Sequence, residues 1–196
     1  MSLPRPPQEV KLVMSFLFKG GAEFAAALAE TDHQYGPVDL VSEPLSFDFT
    51  AYYEPEMGKS LCRRMTSFGS LISPDQLPEI KLWTNAMEAR FPNERGGRKV
   101  NIDPGYLAAS KFILATGKDY SHRIYLGKGI YGDLTLIVQK GAFTPLPWTY
   151  PDYASQPLIG LLNLLRQRYL WQLKNKGVEG PSEKTNITKA LEPWTP

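Results

Sequence analysis

Strand-like and helix-like patterns alternate along the first half of this chain, and their order limits the possible folds more than any other feature. Residues 12–18 form a continuous apolar run, and apolar and polar residues alternate from Leu45 to Tyr53, the clearest strand pattern present. The six predicted elements are a strand at 12–18, a helix at 24–35, strands at 45–53 and 61–72, a helix at 73–91 and a strand at 100–102. This is the βαββαβ order of ferredoxin-like folds, so we predict an α+β domain whose helices cover one face of a mainly antiparallel sheet.

The second half of the chain predicts a β-hairpin and a C-terminal helix. Gly127-Lys128-Gly129 separates two strand-like segments, 122–126 and 130–139, which is a strong hairpin signal. Apolar residues at helical spacing predict the last helix over 157–177. Residues 104–116 fit either a helix or, from Lys111 onward, another strand, and the alanines in this stretch favour the helix.

Length and composition fit one domain with loose ends. The chain has 196 residues, of which 42% are hydrophobic, and this is enough for a single sizeable core. Proline and polar residues dominate both termini. We therefore expect flexible arms at 1–9 and 178–196 around a single α+β domain at 10–177.

Charge and cysteine content exclude several classes of protein. The net charge of +2 gives no global basic field that would attract nucleic acid or an anionic membrane. One cysteine, Cys62, rules out an internal disulfide framework and a cysteine-rich zinc site. Because there is neither a signal-peptide pattern nor an apolar run of membrane-spanning length, we expect a cytoplasmic protein without a membrane partner. The sequence does not indicate its oligomeric state.

Residues 53–60 nearly match the phosphate loop G-x-x-x-x-G-K-S. Tyr53 stands where the first glycine belongs, Glu54 and Glu56 would face the phosphates, and a strand is predicted where a helix should follow. Residues 116–119, Thr-Gly-Lys-Asp, match the guanine-reading motif N-K-x-D just as incompletely. We therefore predict that this chain is not a GTPase.

Carboxylates and a histidine stand at predicted turns and strand ends, where catalytic residues are common. Glu54 and Glu56 would point the same way from an extended backbone, and Asp103 follows the strand at 100–102. We predict that these three transfer protons or hold a divalent metal, the one cofactor indicated, and that His122 is a further acid or base. The alternatives are a solvated acidic turn and a structural histidine.

Cationic and aromatic residues supply the predicted substrate contacts. Arg123 can bind a phosphate or carboxylate through its planar guanidinium, or pair with Asp133 across the hairpin, and we favour the ion pair. The segment 145–153 holds three aromatic residues between three prolines, and we expect Trp148 to pack in the core while a tyrosine borders a pocket. The predicted substrate-binding residues are Arg123, Lys118, Tyr125, Tyr150 and Tyr153.

Several longer phrases resemble one bacterial family, the one known as domain of unknown function 4416. The phrases are residues 52–58, 101–106, 121–126, 129–131 and 147–153. The resemblance covers about residues 10–174. Some members carry a GTP-binding label, but the family has no established activity or catalytic residue for the resemblance to imply.

Three functions remain open. The first is an enzyme acting on a small phosphorylated or nucleotide-like substrate, in which the carboxylates hold a metal or move protons while Arg123 and Lys118 hold anionic groups. The second is a nucleotide or nucleic-acid binding module that uses the sheet face and the aromatic segment. The third is a structural or partner-binding protein. We favour the enzyme because charged and aromatic residues cluster at predicted turns.

Overall fold

The continuous apolar run near the N-terminus forms the central strand of the sheet. In the computed structural model, which describes residues 3–175, β1 (Val10–Phe18) is buried along its whole length. It pairs antiparallel with β4 (Leu61–Ile72) on one side and with β5 (Val100–Leu107) on the other. A strand covered on both faces needs apolar side chains on both, and a run without alternation supplies them.

The described residues form one large antiparallel sheet, four α-helices and a short 3-10 helix at Pro74–Gln76. In chain order the elements are β1, α1 (Gly21–Tyr35), β2 (Val38–Val41), β3 (Leu45–Phe47), α2 (Glu54–Met57), β4, α3 (Leu77–Glu88), β5, β6 (Lys111–Thr116), β7 (Arg123–Gly127), β8 (Ile130–Gln139), β9 (Ala142–Pro145) and α4 (Gln156–Lys174). The nine-stranded sheet has the order β2-β4-β1-β5-β6-β8-β7, with β3 beside β4 and β9 beside β8. The α+β class, the antiparallel sheet and the C-terminal helix are confirmed, whereas the ferredoxin-like order stays a prediction.

Helices cover both faces of the sheet. Alternate residues of β1, such as Leu12 and Phe16, pack with α1 and α3, whereas Val13 packs with the apolar side of α4. Successive side chains of a strand point to opposite faces, so α4 lies on the face opposite α1 and α3. The expectation that all helices share one face is therefore wrong for α4.

The predicted strand at 45–53 is much shorter than its pattern suggests. β3 ends at Phe47, which pairs with Leu61, the first residue of β4. The alternation continues to Tyr53, but beyond Phe47 no partner strand remains to pair with. The chain instead turns through residues 48–53 into the short helix α2.

Residues 104–116 form the end of β5, a short connection and β6, so the helix that the alanines favoured is wrong and the alternative strand from Lys111 is correct. β5 continues to Leu107, and β6 begins at Lys111. Gly105 lies so close to β6 that a Cβ atom there would collide with the carbonyl oxygen of Ile113. Leu107 is fully buried in the sheet. Close strand pairing and burial together outweigh the local helix preference of three small residues.

A fully buried lysine joins the first strand to the last helix. The Nζ atom of Lys11 donates to Asp39 Oδ2 at 2.6 Å, to the carbonyl oxygen of Phe68 at 2.8 Å and to Gln172 Oε1 at 3.0 Å. Burial lowers the pKa of Lys11, and the adjacent Asp39 opposes that shift. The hydroxyl of Tyr169 also donates to the carbonyl oxygen of Glu9 at 2.7 Å. These bonds hold α4 across β1.

The structure describes most of the predicted N-terminal arm and none of the predicted C-terminal tail. Residues 3–9 precede β1, and the predicted tail at 178–196 lies outside the described residues. Among the helices of residues 3–175, none combines the length and the apolar character that crossing a membrane requires.

We expect Lys11→Met to lower the free energy of unfolding by about 3–5 kcal/mol, because it leaves the buried oxygens around Lys11 without their cation. Urea denaturation followed by tryptophan fluorescence measures the change. Lys111→Met is the matched control: Lys111 is exposed on β6, and its substitution should change stability by no more than about 0.5 kcal/mol. Equal midpoints for the two variants would contradict the structural role of Lys11.

Candidate functional site

Incomplete pairing between β5 and β6 opens a cavity in the sheet. β6 pairs with β5 only over residues 105–107, so residues 100–104 of β5 present a free edge. The cavity beside this edge has a volume of about 620 Å³. Its walls also include residues from the segment after β3, from the end of β6 and from residues 150–153. Pro104 fits this free edge because proline cannot donate to a strand ladder.

The cavity lining is rich in charge of both signs. Its cationic residues are Arg63, Lys81, Arg98, Lys118 and Arg123. Its carboxylates are Asp103, Asp133 and Asp152. Several of these side chains are buried, and buried charges are tolerated only when they are paired or hydrogen-bonded.

Arg63 is the most buried cation of the cavity. Its side chain extends from β4, is only 6% exposed, and lies against the rings of Phe47 and Tyr153, at 4.8 and 4.9 Å from their centroids. Its Nη1 lies 2.6 Å from Asp152 Oδ2. Burial opposes the charge of Arg63, but Tyr153, Asp152 and Asp103 together raise its pKa. Within residues 3–175, Arg63 Nε has no hydrogen-bond acceptor.

Asp103 lies on the free edge of β5 and is held by two donors. Lys81, on α3, donates from Nζ to Asp103 Oδ1 at 3.1 Å, and Asn101 Nδ2 donates to the other oxygen at 2.7 Å. Burial by itself would raise the pKa of Asp103, but Lys81, Arg63 and Asn101 hold it below its ordinary value of 3.8. Asp103 is therefore a carboxylate, not a carboxylic acid, at neutral pH.

Glu56 serves an ion-pair network that joins α2 to α3. Arg98 Nε lies 3.0 Å from Glu56 Oε1, and Arg98 Nη1 lies 2.6 Å from Glu88 Oε2. The other Glu88 oxygen accepts from the backbone N–H of Ile102 at 2.7 Å. Burial raises the pKa of Glu88, and its cationic neighbours oppose that shift. The network fixes one wall of the cavity through Arg98.

Glu54 does not line the cavity that contains Asp103. It lines a neighbouring cavity of about 300 Å³, and its nearest cation is Lys59, at 4.0 Å. Because α2 is a helix, Glu54 and Glu56 two residues apart do not share a face as they would on a strand. Among residues 3–175 no three His, Cys, Asp or Glu side chains group as metal ligands, so the predicted metal set does not assemble.

The segment 53–60 that nearly matches a phosphate loop has a different local structure. It forms α2 and a turn through Gly58, and then enters β4. A phosphate loop leads instead into a helix whose N-terminus binds the phosphate. The absence of GTPase activity stays a prediction.

Arg123 pairs with Asp133 across the hairpin, as the sequence suggested. Arg123 Nε lies 2.9 Å from Asp133 Oδ2, and His122 Nε2 lies 3.2 Å from the same oxygen. His122 also stacks on Trp148, with ring centroids 5.2 Å apart. Arg123 and Asp133 line the cavity, whereas His122 lies behind Asp133 and not on the lining.

The predicted tyrosines divide between the cavity and the surface. Tyr150 and Tyr153 both line the cavity; Tyr150 is 57% exposed and Tyr153 only 4%. Tyr125 does not line it, and its hydroxyl accepts instead from the backbone N–H of Gly129 at 3.3 Å. Lys118, the remaining member of the predicted set, lines the cavity at its exposed mouth.

Trp148 does not occupy the core, so the prediction that it packs there is wrong. It is 39% exposed, and its Nε1 donates to the carbonyl oxygen of Leu134 at 2.8 Å. Tyr153 is instead the buried aromatic residue of this segment, and its ring packs against Phe112 and Arg63. Two backbone hydrogen bonds, from the Ala154 N–H to the Tyr150 carbonyl and from the Ser155 N–H to the Asp152 carbonyl, close the turn that contains Tyr153.

The sequence did not single out Arg63, Lys81, Arg98 or Asp152. Arg63 carried little signal in the sequence, because residues 61–68 mix polar and apolar side chains although the structure buries all of them. Lys81 and Arg98 look like ordinary surface residues in sequence, since only the fold brings them to the edge of β5.

We expect Tyr153→Ala to lower the free energy of unfolding by about 3–5 kcal/mol, since it removes a buried ring that packs on Arg63. Trp148→Ala should cost only about 1–2 kcal/mol, because much of its ring already contacts solvent. Tyr150→Ala, an exposed change in the same segment, is the control. Thermal and urea unfolding rank the three variants, and a larger loss for Trp148→Ala than for Tyr153→Ala would contradict this packing.

The family model described as Domain of unknown function (DUF4416) matches residues 8–169. Searches of the curated proteins and of the solved structures returned no match. The matched span contains β1, the cavity beside β5 and most of α4. This chain belongs to the family of the domain of unknown function DUF4416.

Proposed function

We propose that this protein is an enzyme that acts on a small phosphorylated or nucleotide-like substrate in the cavity between β5 and β6. The observation that carries the proposal is the convergence of five cations and three carboxylates on one cavity from separate segments of the chain. A volume of about 620 Å³ suits a small molecule. An interior that needed only to be stable would contain fewer charges, because buried ion pairs contribute little net stability.

A positive charge without a carboxylate partner supports an anionic substrate. Four of the five cations on the lining form ion pairs, and Lys118 forms none with a carboxylate of residues 3–175. Among these cations, Arg63 presents a planar guanidinium that packs against two aromatic rings. A guanidinium fixed in this way favours phosphate and carboxylate groups, because its donors match their oxygens.

Asp103 is the residue to which we assign proton transfer. It lines the cavity as a carboxylate, and Lys81 fixes its position. A carboxylate held in a cavity can accept a proton from a bound hydroxyl or water. We assign no proton transfer to Glu54 or His122, because neither lines the cavity. Glu56 is excluded as well, because it is paired with Arg98.

A second candidate is a nucleotide-binding module without chemistry. The observation that favours it is that both oxygens of Asp103 already accept hydrogen bonds, from Lys81 and Asn101. Two exposed rings, those of Tyr52 and Tyr150, also line the cavity, where a base can stack on them. In that case the nucleotide would be a ligand that binds and dissociates without being converted.

Calorimetry with a panel of nucleotides and sugar phosphates, followed by phosphorus NMR of each binding compound, tests the proposal. We expect at least one compound to bind and to be converted. Asp103→Asn should reduce its turnover by about 10²–10⁴-fold while binding persists, because the amide cannot accept the proton.

The control for this experiment is Glu94→Gln, which removes an exposed carboxylate in the loop between α3 and β5 that does not line the cavity. Its turnover should equal that of the parent protein. Binding without conversion would support the binding module instead. Failure of the whole panel to bind would overturn the proposed function.

A further inference from the structure

Lys118 and Tyr52 form a bridge across the mouth of the cavity. Lys118 follows β6, Tyr52 precedes α2, and both residues are exposed. The Nζ of Lys118 donates to the Tyr52 hydroxyl at 2.8 Å and lies 4.6 Å from the centroid of its ring. The contact joins two walls that are 66 residues apart in the chain.

The partner of Lys118 differs in kind from those of the other cavity cations. Arg63, Lys81, Arg98 and Arg123 each form an ion pair with a carboxylate. Lys118 forms none with any carboxylate of residues 3–175, and its side chain bonds a neutral phenol instead. Among the described residues, its charge is therefore the one on the lining that no carboxylate neutralises.

The backbone of Lys118 is held in place while its side chain stays adaptable. Arg123 Nη1 donates to the carbonyl oxygen of Lys118 at 3.0 Å, and the N–H of Lys118 donates to Thr116 Oγ1 at 3.2 Å. Arg123 is itself fixed by Asp133. A phenol is a weaker acceptor for an ammonium than a phosphate oxygen is, so an arriving phosphate would displace it.

We infer that Lys118 binds the phosphate group of the ligand at the cavity mouth, where the phosphate replaces the Tyr52 hydroxyl as the partner of the Lys118 ammonium. This inference rests on the proposed function and specifies which cation receives the anionic group. The rest of the ligand then extends past Tyr150 toward Arg63 and Asp103.

Titration with inorganic phosphate, followed by calorimetry, tests this assignment on the full chain. Lys118→Met should weaken phosphate binding about tenfold or more, the loss of one charge-assisted hydrogen bond. Tyr52→Phe should bind phosphate at least as well as the parent, because the competing hydroxyl is gone. Lys111→Met, the same change of charge at the far end of β6, should bind as the parent does.

Tyrosinate absorbance gives a second readout that a purely structural role would not change. The hydrogen bond and the charge of Lys118 lower the pKa of Tyr52. Phosphate bound to Lys118 should raise that pKa, and the difference between the parent and Tyr52→Phe isolates the signal of Tyr52. Lys118→Met should show the raised pKa without phosphate and no further change with it.

The outcomes separate the two proposals. If phosphate or a panel compound binds the parent and Lys118→Met equally well, the assignment to Lys118 is overturned, whereas the proposed function still stands if a panel compound is bound and converted. If neither phosphate nor any panel compound binds the parent, both are overturned. A loss confined to Lys118→Met, together with the phosphate-dependent shift of Tyr52, supports the assignment.

Discussion

The partial pairing of β5 with β6 is the constraint on which the candidate site depends. Gly105 allows the two strands to approach closely, and pairing is confined to residues 105–107. The remaining edge of β5 carries Asp103, and Lys81 reaches the same edge from α3. If β6 paired along all of β5, its backbone would occupy the space that the cavity now fills. The site thus lies where the pairing of β5 with β6 ends, and charged side chains contact the unpaired part of β5 in place of a strand.

The sequence predicted the fold best where local pattern and tertiary position agree. The limits of β4 at residues 61–72 and the hairpin of β7 and β8 follow their patterns closely. The pattern failed at residues 48–53, because alternation cannot show where a partner strand ends. It failed again at 104–116, because the close approach of Gly105 to β6 is a long-range contact. Short strands such as β2 and β9 carry too few residues for a pattern to be read.

The site was predicted in part, and the division has a physical reason. Asp103, Lys118, Arg123, Tyr150 and Tyr153 line the cavity, and each belongs to a polar or aromatic phrase that stands out in the chain. Glu54 and Glu56 stand out equally, but the helical geometry of α2 sends them to separate partners. Arg63 and Lys81 matter because their charges are buried next to carboxylates, and burial is a property of the fold and not of a motif.

The link between Lys11 and α4 has a consequence for the order in which the protein is made. β1 is the first strand of the described chain, yet the part of its face that carries Lys11 and Val13 packs against α4, the last element of the described chain. Until Gln172 and its neighbours have left the ribosome, that apolar face stays open to water and to other chains. This part of the sheet is therefore covered only after α4 has been synthesised, and a chain truncated before α4 would expose apolar side chains beside β1.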